Sequence, residues 1–377
     1  MGGVTLAIVV HVIDFSGRNQ WIEKHLEFGG KDYFKQYLVS ISGYGEIHGY
    51  LNSIGLKNNY SVRRNLLGLL QFILLMFKFS RRDDLVIYAH GHLPSIYALL
   101  IKSFTSVDYV ICHHQQPKYF EYLKRQFKFK GMVHYKLWGL YLEKAILIQS
   151  LSLETLHKLQ DLGIPNDRIR EIPFGLDFSR FGNQTRRFFS KNTYASIKIV
   201  SIGRLVWEKR FDLGVLAVSE LVKLGIPLTY TIVGDGPLRI TLMGLVKNLD
   251  LEDSVTFLGW RDDIPDILRN ADILLNLSQT ESYGQVLMEA RLTGTPVFTS
   301  GVGVALDMEE ANDPYVYVFK SATPKDIAHE FVAFKNSLFA NHVGNSFDST
   351  VTYNSHNLES VISATNVMFD NYFKARL

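Results

Sequence analysis

Residues 197–209 read IKIVSIGRLVWEK. A mainly apolar, β-branched run reaches Gly203, and Arg204 and Lys209 follow before a helix-forming stretch begins near Phe211. An apolar run without strict alternation is what a strand buried on both faces carries, and such strands belong to parallel sheets. The glycine lets the backbone turn where the strand ends. Two cations in a strand-to-helix turn suit a diphosphate, because arginine offers a planar donor fork and lysine a compact charge. Two solvated surface cations are the plainer alternative, and the stretch alone does not choose between them.

The same pattern recurs on both sides. Strand candidates lie at 6–14, 33–42, 84–90, 108–114 and 144–150 in the first half, and at 228–236, 254–260, 271–278 and 295–300 in the second. Longer helix-like stretches separate them, so each half reads as a doubly wound α/β domain. A chain of 377 residues is long enough for two cores. The polar stretch FGNQTRRFFSKNTYAS (181–196) gives a boundary, with domains at 1–182 and 183–355. Residues 356–377 form a terminal segment, read from 357 as a helix pair or one bent helix.

Composition narrows the function classes. Cys112 is the single cysteine, which excludes an internal disulfide and points to a reducing compartment. Through Thr185 there are 22 lysines and arginines against 15 acids, so the first half is basic and favours an anionic neighbour. The apolar run LLGLLQFILLMFKF (66–79) falls short of the ~18–20 residues of a membrane span and reads as a buried helix. TLAIVVHVI near the start lacks a preceding basic region and a cleavage site, so it reads as a strand rather than a signal peptide. Together these place the protein in the cytoplasm. The segment 118–144 carries seven lysines or arginines interleaved with aromatics, the pattern of an interfacial helix on an anionic membrane surface. A core-packed helix with a solvated basic face is the alternative. The pattern also suits nucleic acid, but no recognisable nucleic-acid module accompanies it.

Two further stretches in the second half complete a constellation. VGDGP (233–237) places Gly234 and Gly236 around an acid, yet Arg239 stands where a dinucleotide fingerprint needs its third glycine. That disfavours an NAD-dependent dehydrogenase. ESYGQVLMEA (281–290) puts Glu281 in a strand-to-helix loop and Glu289 inside the helix that follows. Free amides at a helix start attract phosphate, and a carboxylate accepts hydrogen bonds from vicinal hydroxyls. An acid at a helix N-terminus is also simply stabilising, by ~0.3–1 kcal/mol. That accounts for Glu281 but not for Glu289, which sits amid Val286, Leu287, Met288 and Ala290.

GRLVWEK, VGDGP, FLGW (257–260), ESYGQVLMEA and TGTPVF (293–298), in this order, resemble glycosyltransferase family 4, the group 1 transferases. The resemblance implies a GT-B fold, with two Rossmann-like parallel-sheet domains facing a central cleft, and a retaining hexosyltransferase that uses a nucleotide sugar and no metal or other cofactor. It implies that Arg204 and Lys209 bind the donor diphosphate, that Glu281 contacts the donor sugar and that Glu289 binds the ribose. Gly203, Gly234 and the turn Tyr283, Gly284, Gln285 and Val286 would approach the donor. In the first half, DFSGRNQ matches the family's glycine-rich loop, which carries over Gly17 alone. IPFGLD (172–177) has Phe174 where the family has asparagine. Histidines cluster in YAHGHLP and CHHQQP, and a four-histidine metal site lacks a recognisable spacing. The resemblance selects His114, which would contact the donor sugar or the acceptor hydroxyl.

The expected partners are a nucleotide-sugar donor, a glycan or lipid-linked acceptor and an anionic membrane surface. A non-catalytic subunit of the same fold and a nucleotide-sugar epimerase are the rival readings.

Overall fold

A computed structural model describes residues 7–15, 19–28, 34–80, 84–114, 117–181, 196–341 and 353–376. The chain forms two compact units, Met1–Leu176 with Ser355–Leu377, and Asp177–Asn354. The divide falls at 176/177, a few residues before the polar stretch chosen from sequence. The short turn Phe178–Phe181 explains the difference, since the Phe181 carbonyl accepts from Arg269 of the second unit.

The first unit holds a seven-stranded parallel sheet of β1 (Ala7–Ile13), β2 (Phe34–Ser40), β3 (Asn59–Ser61), β4 (Leu85–His90), β5 (Asp108–Cys112), β6 (Leu147–Ser150) and β7 (Ile169–Glu171), ordered β3-β2-β1-β4-β5-β6-β7. Its helices are α1 (Gln20–Phe28), α2 (Glu46–Ser53), α3 (Leu66–Ser80), α4 (His92–Phe104), α5 (Pro117–Gln126), α6 (Lys128–Lys144) and α7 (Leu153–Asp161). Every residue of β1 and β4 is buried, as continuous apolar runs in a parallel sheet require.

The second unit holds β8 (Ile197–Ile202), β9 (Leu228–Val233), β10 (Val255–Gly259), β11 (Ile273–Asn276), β12 (Val297–Ser300) and β13 (Val316–Phe319) in the order β10-β9-β8-β11-β12-β13, again parallel throughout. Its helices are α8 (Phe211–Lys223), α9 (Arg239–Asn248), α10 (Ile264–Asn270), α11 (Gln285–Leu292), α12 (Ala305–Glu310) and α13 (Pro324–Asn341). The two doubly wound sheets expected from the sequence are therefore present. The last helix, α14 (Leu358–Lys374), belongs to the first unit and is one continuous helix rather than a pair. Thr365 on it meets His25 of α1 at 3.3 Å.

Three expectations need correction. Strands β3, β7 and β13 lie at sheet edges and were not foreseen; β3 (NYS) and β7 (IRE) are three residues long and carry no apolar run to register. The basic segment 118–144 is two helices, α5 and α6, broken at Phe127. Finally, α3 is only half buried. Asn65 caps it, accepting from the Gly68 amide at 2.8 Å, and Phe72, Met76 and Phe79 enter the core. Leu66, Leu67, Leu70, Leu74 and Phe77 remain exposed. Among the described residues no helix is long and apolar enough to cross a membrane.

Candidate functional site

In an open parallel sheet, ligands bind at the carboxyl ends of the strands where the strand order reverses. In the second unit that point lies between β8, which pairs with β9 on one side, and β11 on the other. The loops leaving these two strands are GRLVWEK and the ESYG turn.

The loop after β8 makes one tight turn, Trp207–Lys209, before Arg210 enters α8 with φ 50°. The turn aims Lys209 across to the loop after β11, where its ammonium group donates to Glu281 Oε1. Ser278 Oγ donates to the same oxygen at 2.9 Å. The Gln279 amide reaches the Glu208 carbonyl at 2.7 Å, so the two loops are also tied through their backbones. The structure thus brings together Lys209 and Glu281, which the sequence singled out separately. Arg204 in the same loop is exposed, and no described residue forms an ion pair with it.

Gly203 and Gly234 meet back to back. A β-carbon on Gly234, whose φ is 128°, would lie 1.9 Å from the Gly203 carbonyl oxygen. Gly234 is therefore explained by two strand-end loops packing closely, before any ligand is considered.

Gly284 starts α11 with φ 86°, a conformation that favours glycine. The amides that open a helix have no intrahelical acceptor, and at Gln285 and Val286 they make an anion-attracting start. Tyr283 offers no side chain to a ligand. It is 3% exposed and faces Asp307, Glu289 and Tyr353, and its carbonyl accepts from the Val304 amide at 2.6 Å. Glu289 lies further along α11, partly buried, and burial raises its carboxyl pKa while Arg180 acts in the opposite direction. Hydroxyls donated to that carboxylate would offset the cost of holding it there.

Sequence reasoning missed Ser278, although its position at the end of a foreseen strand was a usable signal. It also missed the anchor of α11. Arg291 grips Asp313 with two bonds of 2.8 and 2.9 Å, both side chains buried, and the Tyr353 hydroxyl donates to the same acid at 2.6 Å. The guanidinium lies 5.0 Å over the Tyr315 ring.

Gly17 lies outside the described residues. In the first unit the order reverses between β1 and β4, and the strand ends there carry an imidazole cluster. His11 Nε2 bonds Gln36 Oε1 at 2.8 Å, and its other nitrogen meets His90 Nε2 at 3.2 Å. The Trp138 indole donates to His113 at 3.2 Å, which gives that residue a packing role, whereas His114 is half-buried beside Trp21. Phe174 stacks on Trp21, with ring centroids 5.5 Å apart. The ligand atoms of His90, Cys112 and His114 lie within 4.8 Å of one another, and among the described residues no fourth ligand joins them. Two imidazoles and a thiol have the chemistry of a metal ligand set.

Burial lowers the pKa of His11 to about 3 and of His25 and His114 to about 4, from the ordinary 6.5. These groups are neutral when folded and gain a proton on unfolding in acid. The stability they contribute is full above about pH 6.5 and is lost as the pH falls toward 4, at up to about 1.4 kcal/mol per pH unit for each. The melting temperature is therefore expected to drop steadily from pH 7 to pH 5. A flat profile by scanning calorimetry would contradict the neutral buried cluster.

Residues 183–337 match a family model described as glycosyl transferases group 1. The chain is 31% identical over 166 residues, 43% of each protein, to the N-acetyl-alpha-D-glucosaminyl L-malate synthase of Bacillus anthracis. It is 39% identical over 108 residues, 28% of each, to the 2-deoxystreptamine glucosyltransferase of Streptomyces kanamyceticus. The matched part spans less than half the length of these relatives. Anabaena Alr3699/HepE, solved in complex with UDP and glucose, superposes with a TM-score of 0.70 over 96% of this chain and 98% of that one at 16% identity, a likeness of fold.

Proposed function

We propose, for a chain whose residues 183–337 belong to the group 1 glycosyl transferases and whose fold is GT-B, that it is a retaining enzyme moving a hexose from a nucleoside-diphosphate sugar to an acceptor hydroxyl. The observation that carries this reading is the Lys209–Glu281 pair at the switch point between β8 and β11, beside an exposed Arg204 and the opening turn of α11.

As the glycosidic bond to phosphate breaks, negative charge grows on the departing diphosphate. Preorganised cations lower the barrier where that charge develops. Arg204 and Lys209 supply them, and Glu281 with Ser278 holds the lysine in place and orients the donor sugar. The amides of Gln285 and Val286 bind phosphate, and Glu289 binds the ribose. His114 contacts the donor sugar or the acceptor hydroxyl, and its neutral imidazole suits proton relay. No step is routed through a metal. The acceptor is a lipid-linked or membrane-associated glycan on the cytosolic face of a membrane, in keeping with the basic first half of the chain.

Thermal unfolding against UDP, GDP, ADP and CMP, with and without magnesium, tests the donor site. A nucleotide at about 100 times its dissociation constant adds ~2.7 kcal/mol of stability. One nucleoside diphosphate is expected to raise the melting temperature of the parent and not of Arg204→Ala. If none does so at millimolar concentration, the non-catalytic subunit becomes the better reading.

A further inference from the structure

The exposed side of α3 is the feature that glycosyl transfer leaves unexplained. Leu66, Leu67, Leu70, Leu74 and Phe77 are 73, 69, 50, 69 and 42% exposed. At 3.6 residues per turn they fall within an arc of about 100°, opposite Phe72, Met76 and Phe79, which face the core. The helix therefore has two apolar faces and covers only one. A surface helix of a soluble protein ordinarily carries polar residues there.

The charges at the two ends of this helix are mainly positive. Arg63 and Arg64 precede the helix and Lys78 lies in its last turn, all exposed, and α3 contains no acid. Of these, Arg64 is engaged with Asp14, while Arg63 and Lys78 form no ion pair with any described residue. The same combination recurs on the far side of the neighbouring helix. Within the unit α4 packs against both α3 and α6, and at the α5–α6 corner Phe127 and Phe129 are 57 and 73% exposed. Around them stand Lys124, Arg125, Lys128 and Lys130, also exposed.

We propose that the outer face of α3 docks on an anionic lipid bilayer. Its leucines and Phe77 enter the acyl boundary, and Arg63 and Lys78 meet the head groups, with the α5–α6 corner as a second contact. A helix with a lipid-facing apolar side and flanking cations lies in the plane of the interface. The cations Arg63 and Lys78, in no ion pair with a described residue, match a negative surface rather than a second copy of this face, which would set like charges against each other. The inference deepens the membrane-associated acceptor proposed above, but it needs neither donor nor turnover. Lipid binding and nucleotide binding are therefore read separately.

The test is flotation of the full chain with vesicles of phosphatidylglycerol and phosphatidylcholine, against vesicles of phosphatidylcholine alone, at low and high salt. The parent is expected to float with the anionic vesicles, and Leu70→Asp with Leu74→Asp to lose at least tenfold of that binding at an unchanged melting temperature. The milder pair Leu66→Gln with Leu67→Gln serves if the first variant folds poorly, and is expected to lose severalfold. Arg63→Glu with Lys78→Glu should abolish the preference for anionic lipid. A parent that ignores both vesicles overturns the proposal, as does undiminished binding by the leucine variants. A parent that sediments as a dimer, with the leucine variants monomeric and neither binding lipid, assigns the face to a second copy instead.

Discussion

An Arg204→Ala enzyme is expected to melt with the parent and to turn over about 10²–10³ times more slowly, the usual cost of removing one preorganised charge-stabilising group. Arg204 is exposed and no described residue forms an ion pair with it, so its removal leaves no partner stranded. Lys209→Ala should lose a comparable factor, but with a stability penalty as well. The Glu281 side chain is 9% exposed, and without the lysine its buried carboxylate loses the cation that pairs with it. Adding Glu281→Gln to Lys209→Ala should then recover stability and leave activity low. The measurement is release of nucleoside diphosphate from the donor that the melting series identifies, run beside calorimetry. Activity within threefold of the parent in Arg204→Ala would remove the cation from the mechanism.

The largest effect on stability should come from a pair that touches no substrate. Asp313→Ala leaves the Arg291 guanidinium buried without its carboxylate and removes the acceptor of the Tyr353 hydroxyl bond at 2.6 Å. Breaking such a pair from one side costs about 3–5 kcal/mol. For a unit of this size that is a fall of about 10 °C in melting temperature. Replacing both members with apolar residues, as in Arg291→Met with Asp313→Leu, should recover much of the loss, because the desolvation cost of both charges disappears together. The pair fastens the C-terminal end of α11, and the same helix presents the ESYG turn at its other end. Asp313→Ala is thus expected to weaken nucleotide binding too, by loosening the turn rather than by removing a contact. Equal melting temperatures for parent and Asp313→Ala would contradict the assigned anchor.

What could be read from the sequence follows from how far each signal reaches along the chain. Buried parallel strands announce themselves within six or seven residues, so β1, β4, β8 and β9 were legible. The loops after β8 and β11 were legible for the same reason, since each follows such a run directly. Pairings across 72 residues, as between Lys209 and Glu281, leave no local trace, nor does the junction of Arg291 with Asp313. The helix α3 failed differently. Leucines and phenylalanines occupy its whole circumference, and an apolar pattern all round reads as burial on all sides. Only the neighbours show that one side is uncovered. Phe174 is similar: its departure from the family pattern was plain, while its stacking on Trp21 required the fold.

The contact between Gly234 and Gly203 bears on how a silent member of this fold would be recognised. A descendant that had given up its substrate would still have to keep a glycine at 234, because any side chain there collides with backbone. It would be under no such obligation at Arg204. Gly234 therefore reports that the scaffold is intact, and the cations report whether it is still employed.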